Sequence, residues 1–145
     1  MKKHFVLFFV AMMTTLNACA DNERIIAFEQ LPAAAQTKLT ENFQRTDISY
    51  VTEEKDFFGN EYNVRLNNGW EIEFDKDGEL IKADAQKQPL PAGLVPEQIQ
   101  KYVNTTFPGV FVTEWKKDGR NFDVELSNGL ELVFDLNYNF LRIDS

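Results

Sequence analysis

The sequence predicts an α+β fold of two tandem repeats, each a helix followed by four strands, merged into one antiparallel sheet of about eight strands with both helices on one face. Three observations predict it. The stretch Tyr62-Asn63-Val64-Arg65-Leu66-Asn67-Asn68-Gly69-Trp70-Glu71-Ile72-Glu73-Phe74-Asp75 recurs sixty positions later as Phe122-Asp123-Val124-Glu125-Leu126-Ser127-Asn128-Gly129-Leu130-Glu131-Leu132-Val133-Phe134-Asp135. Upstream, Leu31-Pro32 followed by Ala35, Leu39 and Phe43 maps onto Val95-Pro96 followed by Ile99, Val103 and Phe107, now at an offset of sixty-four. Both copies carry alternating apolar and polar runs joined by Asn-Gly, the pattern of half-buried hairpins.

Taken in order, the chain begins with the grammar of an export signal: Lys2 and Lys3, an apolar run from Phe5 to Met13, and a polar stretch from Thr14 to Asn17 before small residues. The run of about nine residues is well short of the roughly 20 that span a bilayer. Residues 1–20 are therefore expected to be a cleaved signal directing the chain to the periplasm. Two cleavage readings fit. Ala18-Cys19-Ala20 suits ordinary signal peptidase and a soluble product, whereas Leu16-Asn17-Ala18-Cys19 is a loose lipobox that would leave Cys19 lipidated and the protein membrane-attached.

Repeat one is expected over 21–85, a linker over 86–93 and repeat two over 94–145. Pro32 and Pro96 suit the first helical position, where a missing N–H costs nothing. The i, i+4, i+8 spacing then puts Ala35, Leu39 and Phe43, or Ile99, Val103 and Phe107, on one stripe. A strand follows around Ile48 to Glu53, or Val110 to Lys116. In the next two runs Tyr62, Val64, Leu66, Trp70, Ile72 and Phe74 face inward, while Asn63, Arg65, Glu71 and Glu73 face outward. Asn68-Gly69 and Asn128-Gly129 read as two-residue type I′ turns. Asp77-Gly78 returns the chain into Leu80 to Ala83, and Asn137 to Asn139 does so before Phe140 to Ile143. Pro89, Pro91 and Gly93 mark the linker. One helix over four strands buries too little area to be secure alone, so the copies are expected to share one sheet.

This doubled pattern, behind a signal and the phrase Leu31-Pro32-Ala33-Ala34-Ala35, resembles the PepSY-like, β-lactamase-inhibitor-protein-like periplasmic proteins of the Bacteroides group. The resemblance spans nearly the whole exported part and rests on structural residues. It implies a tandem-repeat α+β fold and a role in holding or inhibiting another protein. The chain departs from the inhibitor in having no disulfide pair and a charged outer face.

Composition excludes several function classes. Acidic residues outnumber basic ones, 23 to 15, for a net charge of −8, and loss of Lys2 and Lys3 with the signal makes the exported part more acidic still. Such a surface repels phosphate backbones, so nucleic acid is not expected as a partner. His4 is the single histidine and Cys19 the single cysteine, both within the signal. The exported part thus lacks the side chains of Ser-His-Asp and Cys-His nucleophile systems and of His- or Cys-bound zinc. No phosphate-binding glycine motif occurs. Glu71 and Glu73, about 7 Å apart on one strand face, have the spacing of acid/base pairs in hydrolases, but an open sheet face favours a solvated role. Asp75-x-Asp77-Gly78-Glu79 resembles the start of a calcium loop without the closing Glu, and reads better as a turn.

Neither an enzyme nor a cofactor or metal requirement is expected. The repeat acts as its own control, because apolar residues found in only one copy need an account beyond the scaffold. Phe57 and Phe58 occupy a longer connection in copy one; Tyr50, Phe111 and Trp115 make their strands apolar on both sides. These five are the candidate partner-binding residues, for another envelope protein or a peptide. The alternative for them is to cover a sheet edge or the junction between copies. The alternative function is binding of a small ligand or calcium.

Overall fold

A row of apolar side chains runs across the whole sheet and sets its inner face. The computed structural model describes residues 22–144. The expected signal, with His4 and Cys19, lies outside the described residues. The strands are β1 (Glu23–Ile26), β2 (Ile48–Asp56), β3 (Gly59–Leu66), β4 (Glu71–Phe74), β5 (Leu80–Asp84), β6 (Val112–Asp118), β7 (Asn121–Leu126), β8 (Glu131–Asp135) and β9 (Phe140–Asp144). They form one antiparallel sheet in chain order. Direct cross-strand partners give the row Ile26, Val51, Val64, Ile72, Ala83, Trp115, Val124, Leu132 and Ile143. All but Ile143 are buried in one hydrophobic cluster spanning both copies.

Helices α1 (Ala33–Asn42) and α2 (Glu97–Thr106) each leave the sheet and return to the neighbouring strand. Ala35 and Leu39 of α1, and Ile99 and Val103 of α2, are buried in the same cluster as the inner row, so both helices cover one face. Pro32 and Pro96 sit one position earlier than expected, as caps whose carbonyls accept the first helical bonds from Gln36 and Gln100. Phe43 and Phe107 lie just past the helices and end them, each N–H bonding four residues back. Among the described residues no helix is long and apolar enough to cross a membrane.

Nine strands are present where about eight were expected. The addition is β1, which meets β2 through Ile26 opposite Val51 just as β5 meets β6 through Ala83 opposite Trp115. A 3₁₀ turn precedes each helix, Phe28–Gln30 in copy one and Ala92–Leu94 in copy two. Strand β1 therefore stands to α1 as β5 stands to α2, and β5 serves both as the last strand of copy one and as the lead-in to copy two.

The turns also differ from expectation. Gly69 and Gly129 have φ of +88° and +85°, but Asn68 and Asn128 are not in the positive-φ region. The Leu66 N–H bonds the Trp70 carbonyl and the Gly69 N–H bonds the Leu66 carbonyl, with Leu126, Leu130 and Gly129 repeating the pattern. These are three-residue loops ending in a left-handed glycine, rather than two-residue type I′ turns.

Candidate functional site

The outer face carries two charged rows, which follow from alternation against the buried row. In one row Tyr50, Arg65, Glu71, Asp84, Glu114, Glu125, Glu131 and Asp144 are successive cross-strand partners; in the other, Ile25, Thr52, Asn63, Glu73, Lys82, Lys116, Asp123, Val133 and Arg142. Carboxylates directly opposite one another are destabilising. Six of them nevertheless follow without a break, from Glu71 through Asp84, Glu114, Glu125 and Glu131 to Asp144. Asp84 and Glu114 escaped the sequence reading because they meet only where β5 pairs with β6, across the junction of the copies. Burial and the carboxylates of Asp84 and Glu125 push Glu114 above the usual carboxylate range, partly offset by Lys82.

In copy one the charges are organised. Arg65 Nη2 donates to Glu71 Oε2 at 2.6 Å and Asn63 Nδ2 to Glu71 Oε1 at 3.0 Å. Lys82 Nζ reaches Glu71 at 3.1 Å and Glu73 at 3.6 Å. Burial and the hydrogen bond with Glu71 push Glu73 up to about 7. Burial would also raise Glu71, but its hydrogen bonds with Glu73 and Lys82, reinforced by the Lys82 and Arg65 charges, hold it at about 2. Glu71 is the less exposed of the two, 16% against 27%. The proton therefore sits on Glu73 because Glu71 has the better set of donors. No cleft encloses the pair, so this is an ion-pair network with one shared proton.

The Asp75 turn is closed by its own carboxylate. Asp75 Oδ1 accepts from the Asp77 and Glu79 N–H groups at 2.9 and 3.0 Å, and Asp135 Oδ1 accepts from Asn137 and Asn139 at 2.9 Å each. Both are turn closures. Among the described residues no group of three or more His, Cys, Asp or Glu is arranged to hold a metal ion.

The five aromatic candidates do not converge. Phe57 and Phe58 form the tip of the β2–β3 hairpin, 93% and 84% exposed, packed edge to face at 5.3 Å. The four extra residues of copy one lie at this tip: Glu53 pairs with Tyr62 as Lys117 pairs with Phe122, but β2 and β3 continue to Asp56 opposite Gly59 while copy two turns at Gly119-Arg120. Tyr50 is exposed at the far end of β2, about 20 Å along the strand by its rise per residue. Phe111 is partly exposed beside the start of β6, its N–H bonded to Ser127 Oγ.

Trp115 corrects its expectation. It is 2% exposed, its Nε1–H donating to the Leu94 carbonyl at 2.6 Å and its ring edge to face with Phe122 at 5.8 Å. The strand is not apolar on both sides, because its register shifts between Val112 and Glu114, leaving Thr113 as a bulge. The extra residue resets the alternation and puts Val112 and Trp115 on the same inner face. Ser49 does this in copy one, between Ile48 and Tyr50.

A protein-family model described as "Putative beta-lactamase-inhibitor-like, PepSY-like" matches residues 20–82 and again 60–142. The chain belongs to the PepSY-like family. The overlap of the two matches, 60–82, holds β3, β4 and the start of β5, in keeping with a strand that serves both halves. Among solved structures, this PepSY-like protein is similar to a Bacteroides vulgatus protein described as a "putative periplasmic protein" of the DUF2874 family, 34% identical, TM-score 0.80, covering 87% of this chain and 99% of that one. It is similar also to a Bacteroides thetaiotaomicron protein described as a "putative calcium-regulated periplasmic protein", 35% identical, TM-score 0.78, with the same coverage. A further Bacteroides vulgatus periplasmic protein of unknown function is 29% identical at TM-score 0.74, over 85% of this chain and 99% of that one. No curated protein matches the chain. The PepSY-like family is one of unknown function and is not a known enzyme family.

Proposed function

We propose that this PepSY-like protein is a non-enzymatic protein-binding module of the periplasm, reached through its export signal, which docks a partner through the Phe57–Phe58 hairpin tip. One observation carries the reading: two almost fully exposed, mutually packed phenylalanines crown an extension that the otherwise matching second copy lacks. Exposed aromatics are costly to keep in water and supply large area to an interface. Glu54, Asp56 and Glu61 form an acidic collar below the tip; burial and the neighbouring Asp56 and Glu54 charges raise Glu61. The partner this fits is a protein with an apolar pocket rimmed by cationic side chains. Tyr50 and Phe111 belong to separate surfaces and serve as controls. Capture of a partner from envelope extract is expected to fail with Phe57→Ala/Phe58→Ala while the melting temperature stays unchanged. Equal capture by both proteins would overturn the reading.

A second reading, a calcium-responsive module, is supported by the description of the Bacteroides thetaiotaomicron relative named above as calcium-regulated and by one feature of this chain. Glu114, Glu125 and Glu131 are successive cross-strand partners on three strands and none forms an ion pair among the described residues; they are not grouped as metal ligands as they stand, so a cation would have to draw their side chains together. Under this reading calorimetric titration with calcium shows heat that Glu125→Gln abolishes; a flat titration rejects it.

A further inference from the structure

We propose that β9 is a self-pairing edge through which two copies of this chain join into one continuous sheet. Strand β9 pairs only with β8 among the described residues, so one side of its backbone lacks a ladder partner. The strand Phe140-Leu141-Arg142-Ile143-Asp144 holds no proline or lysine, and Phe140, Leu141 and Ile143 are exposed; a bulge at Leu141 leaves Arg142 to Asp144 as its regular stretch, the same three-residue length over which β5 pairs with β6. Internal symmetry identifies the edge as one built for pairing. Arg142 opposes Val133 as Lys82 opposes Glu73, and Ile143 opposes Leu132 as Ala83 opposes Ile72, so β9 is the copy-two counterpart of β5. The corresponding edge of β5 is occupied, by β6.

The register follows from the ladder and from charge. The Leu126 N–H bonds the Leu130 carbonyl, and alternation from there directs the main-chain groups of Glu131 and Val133 toward β9. Their partners are Asp144 and Arg142, which leaves the N–H and C=O of Ile143 pointing outward. An antiparallel pair centred on Ile143 places Ile143 against its own copy on the helix face. On the outer face it sets Arg142 directly opposite Asp144 of the second copy, twice. Arg142 and Asp144 already share a face, with Arg142 Nε 2.9 Å from Asp144 Oδ1. Shifting the centre to Arg142 would oppose two guanidinium groups, which is unfavourable. The pairing is isologous and closes at two copies, with all four helices on one side of the joined sheet.

The test is sedimentation of the exported chain at concentrations up to about 1 mM, where even a weak dimer registers. The wild type is expected to form a dimer. Ile143→Lys and Arg142→Asp should each give a monomer, and the exchange Arg142→Asp/Asp144→Arg should restore the dimer. Far- and near-ultraviolet circular dichroism of each variant reports that the fold is retained. A monomeric wild type would overturn the proposal. A dimer indifferent to Ile143→Lys, or an exchange variant that stays monomeric, would overturn it as well.

Discussion

Trp115 fills in copy two the place that Val51 holds in copy one, and its indole N–H donates to the Leu94 carbonyl in the 3₁₀ turn before α2. Trp115→Phe keeps most of the packing but leaves that buried acceptor unpaired, so a loss of about 1–3 kcal/mol is expected in urea unfolding. Trp115→Ala adds a cavity and should cost about 3–5 kcal/mol. The Glu71–Glu73 pair makes a prediction of opposite kind. Glu73 holds its proton more tightly folded than unfolded, so its contribution is fully present below the ordinary carboxylate range and is lost as pH rises through about 7. Glu71 behaves in the opposite sense: its contribution is present above the ordinary range and is lost as pH falls through about 2. The urea midpoint should therefore fall between about pH 5 and pH 8, and Glu73→Gln should flatten that limb. A midpoint slope unchanged by Glu73→Gln would contradict the shared proton.

At the scale of elements, the two copies solve the same turn with different residues. Gly78 takes φ +81° where the β4–β5 turn touches the start of α1, and a Cβ there would lie 2.9 Å from both Ala35 N and Pro32 Cβ. The matching position of copy two is Tyr138 at φ +64°, its ring stacked on Phe122 at 5.1 Å. Gly129 takes φ +85° with open space around it. Gly129→Ala should thus cost only the left-handed backbone penalty, about 1–2 kcal/mol, and Gly78→Ala measurably more, as read by thermal melts. The helix stripes, the alternating strands and the doubling were legible in the sequence because their periods are local and repeat together. Strand β1 was not, since Glu23 to Ile26 is too short to show a period and becomes a strand by pairing with β2. The face of Trp115 was misread for a related reason: one bulge residue, Thr113, inverts every later position of a strand, and nothing local announces it. For the site, the Phe57–Phe58 extension was visible as a change of offset between copies, whereas the acidic row across β5 and β6 depends on a pairing that no repeat pattern contains.

At the scale of the whole molecule, a single buried cluster runs under both helices and strand β5 serves both copies. The two repeats should therefore unfold together, in one calorimetric transition whose van't Hoff and calorimetric enthalpies agree; two resolved transitions would show that the halves are independent. The scaffold is nearly two-fold repetitive, and the functional reading rests on where it is not. Copy one extends its β2–β3 hairpin to the exposed pair Phe57 and Phe58, and copy two stops at Gly119-Arg120. The most direct measurement exploits that asymmetry, with a photo-crosslinking side chain placed at position 58 or, as internal control, at position 120, in cells that export the chain. A discrete protein adduct from position 58 and none from position 120 is the predicted result; no adduct at 58, or the same adduct from both hairpins, would contradict a docking role for the tip.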